Sequence, residues 1–215
     1  AAASAGKPIK DVIFDFGNVL VYWIPENVLK GSYAPEAIDF LLDNERSGLY
    51  DSCNYTDGGM TIKETVSRIR QERGDRAAEL IQFYFDNFED SLAGPVPGAR
   101  HLLADLKAAG IGVWGLSNWS AETFPIAYDQ YEILHMLDGK VISGPTGMRK
   151  PHADIFNYAL DQFHAKAETS LFVDDKSENI AGANAVGIRG VQFSDPLKLR
   201  SLLIEAGVDI PAPKE

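Results

Sequence analysis

The sequence predicts an α/β fold, a parallel sheet with helices on both faces, plus a helical unit inserted after the first strand. Three observations lead there. Short β-favouring runs alternate with amphipathic stretches of helical period over most of the chain. Three of those runs deliver Asp or Ser to a strand end, where open α/β sheets present ligand-binding groups. The stretch from about Val21 to Ser91 breaks the alternation and reads as helical throughout.

The elements follow in order. In DVIFDFGNVL (Asp11 to Leu20), Val12, Ile13 and Phe14 carry Asp15 to a strand end, and the chain turns at once through Gly17-Asn18. Between Val21 and Ser91 no convincing strand occurs, and Pro35–Asn44, Thr61–Arg73 and Asp75–Asp90 are amphipathic. Thr61 with Glu64 forms a capping box for the middle helix. The Gly94-Pro95-Val96-Pro97-Gly98 turn returns the chain to alternating elements. Strands are expected at Asp11–Phe16, Ile111–Ser117, Lys140–Ser143, Leu171–Val173 and Ile188–Phe193, with helices at Ala99–Ala109, Ala153–Phe163 and Glu178–Ala185. Gly110–Gly112 and Gly187–Gly190 suit short helix-to-strand loops. Residues 7–20 and 92–215 thus form the α/β core and residues 21–91 the insertion. Ala1 to Gly6 carries no initiator Met and is set aside as a remnant or processed end.

Composition narrows the function. The 215 residues can bury a full core. The net charge of −11, from 20 basic and 31 acidic residues, argues against binding nucleic acid or an anionic membrane. It leaves room for a small phosphorylated metabolite, because one metal ion and one Lys invert the field inside a cleft. No apolar run reaches membrane-spanning length. With Cys53 the only cysteine, no intrachain disulfide forms, and a reducing cytoplasm is the simplest compartment. A monomer or homodimer is expected.

Four segments carry chemistry: Asp15 with its glycine turn, GLSN at Gly115 to Asn118, RKP at Arg149 to Pro151, and LFVDDKSEN at Leu171 to Asn179. An Asp that ends a strand also serves plain turns, and Ser117-Asn118 alone reads equally as a turn. Together they suit a phosphate site. The Ser117 hydroxyl and the following N–H of Asn118 hold non-bridging oxygens. The Lys150 ammonium neutralises both Asp15 and an incoming phosphate. Pro151 is placed as a first-turn helix residue that fixes where Lys150 points. Arg149 reads either as a second anion contact or as a surface salt bridge. Asp174 and Asp175, adjacent acids after an apolar strand, repel each other unless a cation sits between them and Asp15, and hard oxygen ligands suit Mg²⁺.

These four segments, in this order and spacing, resemble the haloacid dehalogenase (HAD) superfamily of aspartate-nucleophile hydrolases, over the whole chain apart from a few residues at each end. The resemblance implies a Rossmann-like core whose helical insertion is a cap closing over substrate. It implies that Asp15 attacks phosphorus to form an aspartyl phosphate. Mg²⁺ is then bound by Asp15, the Gly17 carbonyl and Asp175, with Asp174 a direct or water-mediated ligand. Asn179 orients that loop or is simply an early helix polar residue. The wording DFGNVLV looks closest to small-molecule phosphatases that include sugar 1-phosphate phosphatases. Gly17 departs from the usual family pattern, in which a second Asp two residues past the nucleophile is the general acid and base; glycine keeps the carbonyl and loses the proton. Asn18 fills part of that space but transfers no proton.

The expected function is Mg²⁺-dependent hydrolysis of a small phosphomonoester, with a sugar 1-phosphate as the finer reading. Gly17 keeps two alternatives open: a 2-haloacid dehalogenase, which would leave the Asp174-Asp175 pair an unexplained electrostatic cost, and a phosphate-binding protein without turnover. Trp23 and Trp119, each a few residues past a chemical segment, are candidate substrate contacts or interdomain packing, with packing favoured for Trp119. His101 and His164 read as helix surface positions. His135 and His152 are weak substitutes for the missing proton donor, and no pair of histidines has metal-ligand spacing.

Overall fold

The computed structural model describes residues 6–213, so all of the Ala1 to Gly6 segment except Gly6 lies outside the described residues. In chain order the elements are β1 (Asp11–Phe14), β2 (Val21–Trp23), α1 (Pro35–Leu42), α2 (Asn44–Ser47), α3 (Leu49–Asp57), α4 (Ile62–Arg73) and α5 (Asp75–Asp86). There follow β3 (Leu92–Pro95), α6 (Ala99–Ala108), β4 (Gly112–Ser117), α7 (Phe124–Gln130), β5 (Gly139–Ile142) and α8 (Ser143–Thr146). The chain ends with α9 (Ala153–Phe163), β6 (Ser170–Asp174), α10 (Ser177–Ala185), β7 (Arg189–Gln192) and α11 (Pro196–Glu205).

Five strands form one parallel sheet in the order β5-β4-β1-β6-β7. The chain builds outward on one side of β1 and then on the other, so the order reverses beside β1. That reversal opens a crevice at the carboxyl ends of β4, β1 and β6, where ligands bind in open α/β sheets. Side-chain alternation sends residues to two cores. Val12, Phe14, Leu171 and Val173 pack with Leu103 and Leu106 of α6 and Leu203 of α11. Ile13, Leu116, Val141 and Phe172 face Ile155, Phe156 and Ala159 of α9 on the opposite side. Strands buried on both faces need continuous apolar runs, which is why these segments were visible in the sequence.

The helical stretch differs from expectation at its edges. Val21–Trp23 is a strand, pairing antiparallel with Leu92–Pro95 in a separate two-stranded ribbon. Entry to and exit from the helices therefore pass through one paired ribbon. The helix expected over Pro35–Asn44 stops at Leu42. The one expected over Asp75–Asp90 stops at Asp86, followed by a 3₁₀ turn at Phe88–Ser91. Only half of the expected capping box forms: the Glu64 N–H donates to Thr61 Oγ1 at 3.1 Å. The N–H of Ile62 instead donates to the Glu122 carboxylate at 2.7 Å, tying α4 to the segment after β4.

Pro151 does not open α9, which starts at Ala153 behind His152. Instead α10 packs onto the Pro151 backbone through Gly182. A Cβ at Gly182 would collide with the Pro151 carbonyl oxygen and lie 2.9 Å from Phe156 Cε2. Because that contact backs the residue after Lys150, Gly182→Ala is expected to lower stability by about 1–3 kcal/mol, the usual cost of overpacking. A urea midpoint equal to wild type would refute the tight contact.

Candidate active site

Strands β1, β4 and β6 lie side by side, and each delivers one chemical segment to the same cavity. The cavity, of about 450 Å³, is lined by Asp15, Gly17, Asn18, Ser117, Asn118, Lys150 and Asp175 from the sheet side. Asp174 sits just beneath, fully buried. The helical segment contributes Tyr50, Cys53, Asn54, Thr56, Asp57, Tyr84, Phe85 and Phe88, and Trp23 and Trp119 complete the wall. The described residues of residue range 7–20, 92–213 and of the insertion therefore share one site.

Lys150 organises the charged floor. Its ammonium, almost wholly buried, donates to Asp15 Oδ1 at 3.0 Å, Asp174 Oδ2 at 2.8 Å and the Leu116 carbonyl at 2.9 Å. All three N–H bonds are thus used within the protein, so Lys150 acts on a bound phosphate through its charge rather than a spare donor. The loop that carries it is clasped by Asn118, whose Nδ2 donates to the Lys150 carbonyl (3.0 Å) and whose Oδ1 accepts from the Lys150 N–H (2.8 Å). The Asn118 side chain is therefore first a positioning device, while its backbone N–H is left without a protein acceptor among the described residues and remains for an anion. The Ser117 hydroxyl has no hydrogen-bond partner among the described residues and lines the cavity.

The two adjacent acids have different environments. Asp174 accepts from Lys150, from Asn179 Nδ2 at 3.0 Å and from the Lys176 N–H at 2.9 Å. Burial would raise its carboxyl, but the Lys150 charge and these hydrogen bonds outweigh it and hold it below the ordinary value. Asp175 is raised by burial and by the Asp174 charge, and its Oδ1 is buried without a partner. Asp15 is pushed up to about 7, chiefly by burial, with Asp174 and Asp175 adding to it and Lys150 opposing. Burial lowers Lys150, and Asp15 and Asp174 more than reverse that.

Oxygens of Asp15, Asp174 and Asp175 lie within 4.8 Å of one another. The Gly17 carbonyl accepts no hydrogen bond among the described residues. An orphaned carboxylate oxygen, an unused carbonyl and three converging acids fit a hard divalent cation.

Other sequence-selected residues fall elsewhere. Asn18, at φ 62°, turns its side chain to accept from the Trp23 N–H (2.9 Å) rather than filling the space beside Gly17. Arg149 makes no ion pair among the described residues and borders a separate surface depression with His152. His135 is exposed and bonded to the Tyr128 carbonyl oxygen at 2.6 Å, so neither suspected histidine reaches the cavity. Asp57, at the end of α3, does reach it and was not singled out from the sequence. Its signal there, a carboxylate before Gly58-Gly59, is that of any helix end.

A parallel sheet whose crevice gathers three acids and a lysine is the arrangement of a hydrolase with an α/β core. A family profile described as haloacid dehalogenase-like hydrolase matches residues 9–187, and the chain belongs to that family. It is 27% identical over 190 residues to the sesquiterpene phosphatase astK of Aspergillus oryzae, covering 87% of this chain and 91% of that one. It is 35% identical over 188 residues to the drimenol cyclase drtB of Aspergillus calidoustus, spanning 86% of this chain but about a third (34%) of that longer protein. A HAD family enzyme of Bacteroides thetaiotaomicron, crystallised with magnesium and inorganic phosphate, shares the fold. Its TM-score is 0.66 at 20% identity, covering 87% of this chain and 95% of that one.

Removing the Lys150 charge leaves two buried carboxylates unpaired. Lys150→Met is expected to cost about 3–5 kcal/mol. Asp174 is held below 3.8, so its share of that stability is present above about pH 4 and lost as pH falls through its folded value. Lys150 is held above 10.5, so its share persists to alkaline pH. By chemical denaturation, the stability difference between the two proteins should therefore shrink below roughly pH 4, be present at pH 5, and rise further through about pH 7 as Asp15 ionises beside Lys150. A difference that grew on acidification would contradict the pairing.

Proposed function

We propose that this protein is a Mg²⁺-dependent phosphomonoesterase acting on the phosphate of an apolar alcohol. The observation that carries the reading is the orphaned Asp175 oxygen beside Asp15 and the Gly17 carbonyl, under a cavity walled by aromatic rings. In this reading Asp15, Asp175 and the Gly17 carbonyl hold the ion, and Asp174 supports them through Lys150, Lys176 N–H and Asn179. Bound there, Mg²⁺ supplies the positive charge that offsets phosphate and carboxylate repulsion.

Asp15 Oδ2, free of the Lys150 bond, attacks phosphorus while Ser117 and the Asn118 N–H hold non-bridging oxygens. The alcohol oxygen leaves with the electron pair of the broken P–O bond, and water then cleaves the aspartyl phosphate to release inorganic phosphate. Lys150 keeps Asp15 oriented and offsets charge throughout. Two carboxylates poised at one ion favour this over dehalogenation, which uses no metal. The insertion, residues 21–91, serves as the cap that walls the site from water.

For the alcohol, the wall of Trp23, Tyr50, Cys53, Tyr84, Phe85, Phe88 and Trp119 suits a hydrocarbon better than the anomeric sugar implied by the resemblance. A cavity of about 450 Å³ lies within the usual ligand-site range of ~300–1,000 Å³. The likeness to a sesquiterpene phosphatase supports the same reading. Lone cysteine chemistry and acidic charge are compatible with a cytoplasmic setting.

Wild type with Mg²⁺ is expected to release phosphate from terpenyl or long alkyl monophosphates, and EDTA to abolish it. Asp15→Asn should lose at least ~10⁴-fold in kcat, as loss of a nucleophile does. Its melting temperature in metal-free buffer at pH 8 should not fall. A carboxyl raised to about 7 destabilises the folded state once ionised, and the amide removes that term. Full turnover in EDTA, or halide release from 2-haloacids at a comparable rate, would overturn the reading.

Trp23→Ala tests the wall. Trp23 Nε1 donates to the Tyr84 hydroxyl at 2.9 Å and its ring meets Tyr50 edge-on. The variant is expected to raise KM for a long-chain phosphate several-fold, with the Mg²⁺ concentration for half-activity little changed. An unchanged preference between long- and short-chain esters would make the ring a packing group alone.

A further inference from the structure

We propose that Asp57, carried by the helical insertion, is the general acid and base that Gly17 does not supply. The inference rests on the phosphomonoesterase reading above and assigns its missing proton.

Position comes first. Asp57 ends α3 and lines the same cavity as Asp15, Ser117 and Lys150, reaching it on the helical segment rather than from a strand end. A phosphorus atom attacked from the Asp15 side directs its leaving oxygen toward the insertion. Asp57 is the one carboxyl that the insertion's described residues contribute to the cavity wall.

The placement is fixed by packing. Gly58-Gly59 follows directly, and a Cβ at Gly59 would lie 3.3 Å from the Gly144 carbonyl oxygen, so the end of α3 rests against α8. The start of α8 is joined in turn to the phosphate loop, because Ser143 Oγ accepts from the Trp119 N–H at 3.0 Å. Asp57 is thereby referenced to the loop bearing Ser117 and Asn118.

Its environment suits both halves of the reaction. Asp57 is partly buried and its carboxylate accepts no hydrogen bond among the described residues. Burial raises it to about 7, while the positive charges of Lys176, Arg149 and Lys150 pull the other way. A carboxylate at a helix C-terminus is further disfavoured by the helix dipole. Near neutral pH such a group both gives and accepts a proton, which is what the two steps require.

In the first step Asp15 Oδ2 bonds to phosphorus and the P–O(alkyl) bond breaks; the leaving oxygen takes its electron pair and the Asp57 proton, departing as the alcohol. In the second, the Asp57 carboxylate takes a proton from water as its oxygen bonds to phosphorus. The P–O(Asp15) bond then breaks, releasing inorganic phosphate and restoring both carboxyls to their starting states.

The test compares leaving groups: n-octyl phosphate, whose alkoxide needs a proton, and 4-nitrophenyl phosphate, whose phenolate does not. Asp57→Asn should lower kcat for the octyl ester by about 10²–10⁴-fold, the usual worth of general acid catalysis. With 4-nitrophenyl phosphate it should give a rapid burst of one nitrophenolate per enzyme and then slow turnover, because only the second step still needs the base. Asp57→Glu should recover octyl ester turnover that Asp57→Asn lacks, and Asp57→Ser serves the same comparison if the amide does not fold. Equal losses on both esters with no burst, or no loss on either, overturns the assignment while leaving the phosphatase reading intact. A wild type that hydrolyses neither ester with Mg²⁺ overturns both.

Discussion

One buried ammonium sets the geometry of this site. Lys150 reaches from the loop after β5 and α8 to the ends of β1 and β6, bonding a carboxylate at each, and to a carbonyl of β4 on the other side of β1. Three neighbouring strands are thereby cross-linked at the same level. An isolated charge buried there would cost several kcal/mol, so the Lys and the acids are stable only as a set. The surrounding sequence serves that set: Asn118 clasps the Lys150 peptide, and Gly182 lets α10 back Pro151. Asp174 is satisfied by this arrangement, and the deficit passes to Asp175 and Asp15, whose carboxyls are raised. Three acids against one ammonium fall two charges short of neutral, a deficit that a dication closes. In the metal-dependent reading, the site's affinity for a cation follows from how Lys150 is spent.

The sheet was legible because its physics is local. Strands covered on both faces must be apolar along their length, so Val12–Phe14 and Leu171–Val173 announce themselves. The chemical residues at their ends were legible only as a set, since a polar residue after a strand also serves plain turns and it is the four segments together that point to a phosphate site. The ribbon strand Val21–Trp23 was not, because three residues carry no period and its partner lies some seventy positions away. The role of the Asn118 side chain was hidden too, its target being the peptide of Lys150 across a fold crossing. Pro151 invited a helix start, but packing under α10 holds it outside α9. Asp57 was the least visible of all, since only the folded structure shows that the end of α3 lines the same cavity as the end of β1.

The aromatic wall links the two parts of the molecule as well as lining the cavity. Tyr84 meets Phe88 edge-on at 6.0 Å, Phe88 meets Trp119 at 5.7 Å, and Trp119 meets Phe16 at 6.4 Å and Phe124 at 5.8 Å. These rings run unbroken from α5 to the turn after Asp15. Trp119 is anchored through Nε1 to Thr123 Oγ1 at 3.0 Å and is almost fully buried, so its first duty is packing. Trp23 is less buried and sits on the ribbon itself, with its ring held by Tyr84. It is therefore better placed than Trp119 to respond to what fills the cavity.

That continuity constrains how the insertion can act. An open state that separated α5 from the core would break the Phe88–Trp119 contact, and aromatic pairs contribute about 0.5–1.5 kcal/mol each beyond their buried area. Wide opening is therefore costly, and a pivot about the β2–β3 ribbon that kept those rings together would still part the end of α3 from α8. There Gly59 rests against the Gly144 carbonyl, and the Ile62 N–H holds the Glu122 carboxylate, so the α3–α4 end is tied to the core as the α5 end is. The wall that carries Asp57 and Asn54 is thus set in place before anything enters the cavity. In the phosphomonoesterase reading, an apolar tail seated against this preset wall contributes binding energy that holds the phosphate over the Lys150 floor.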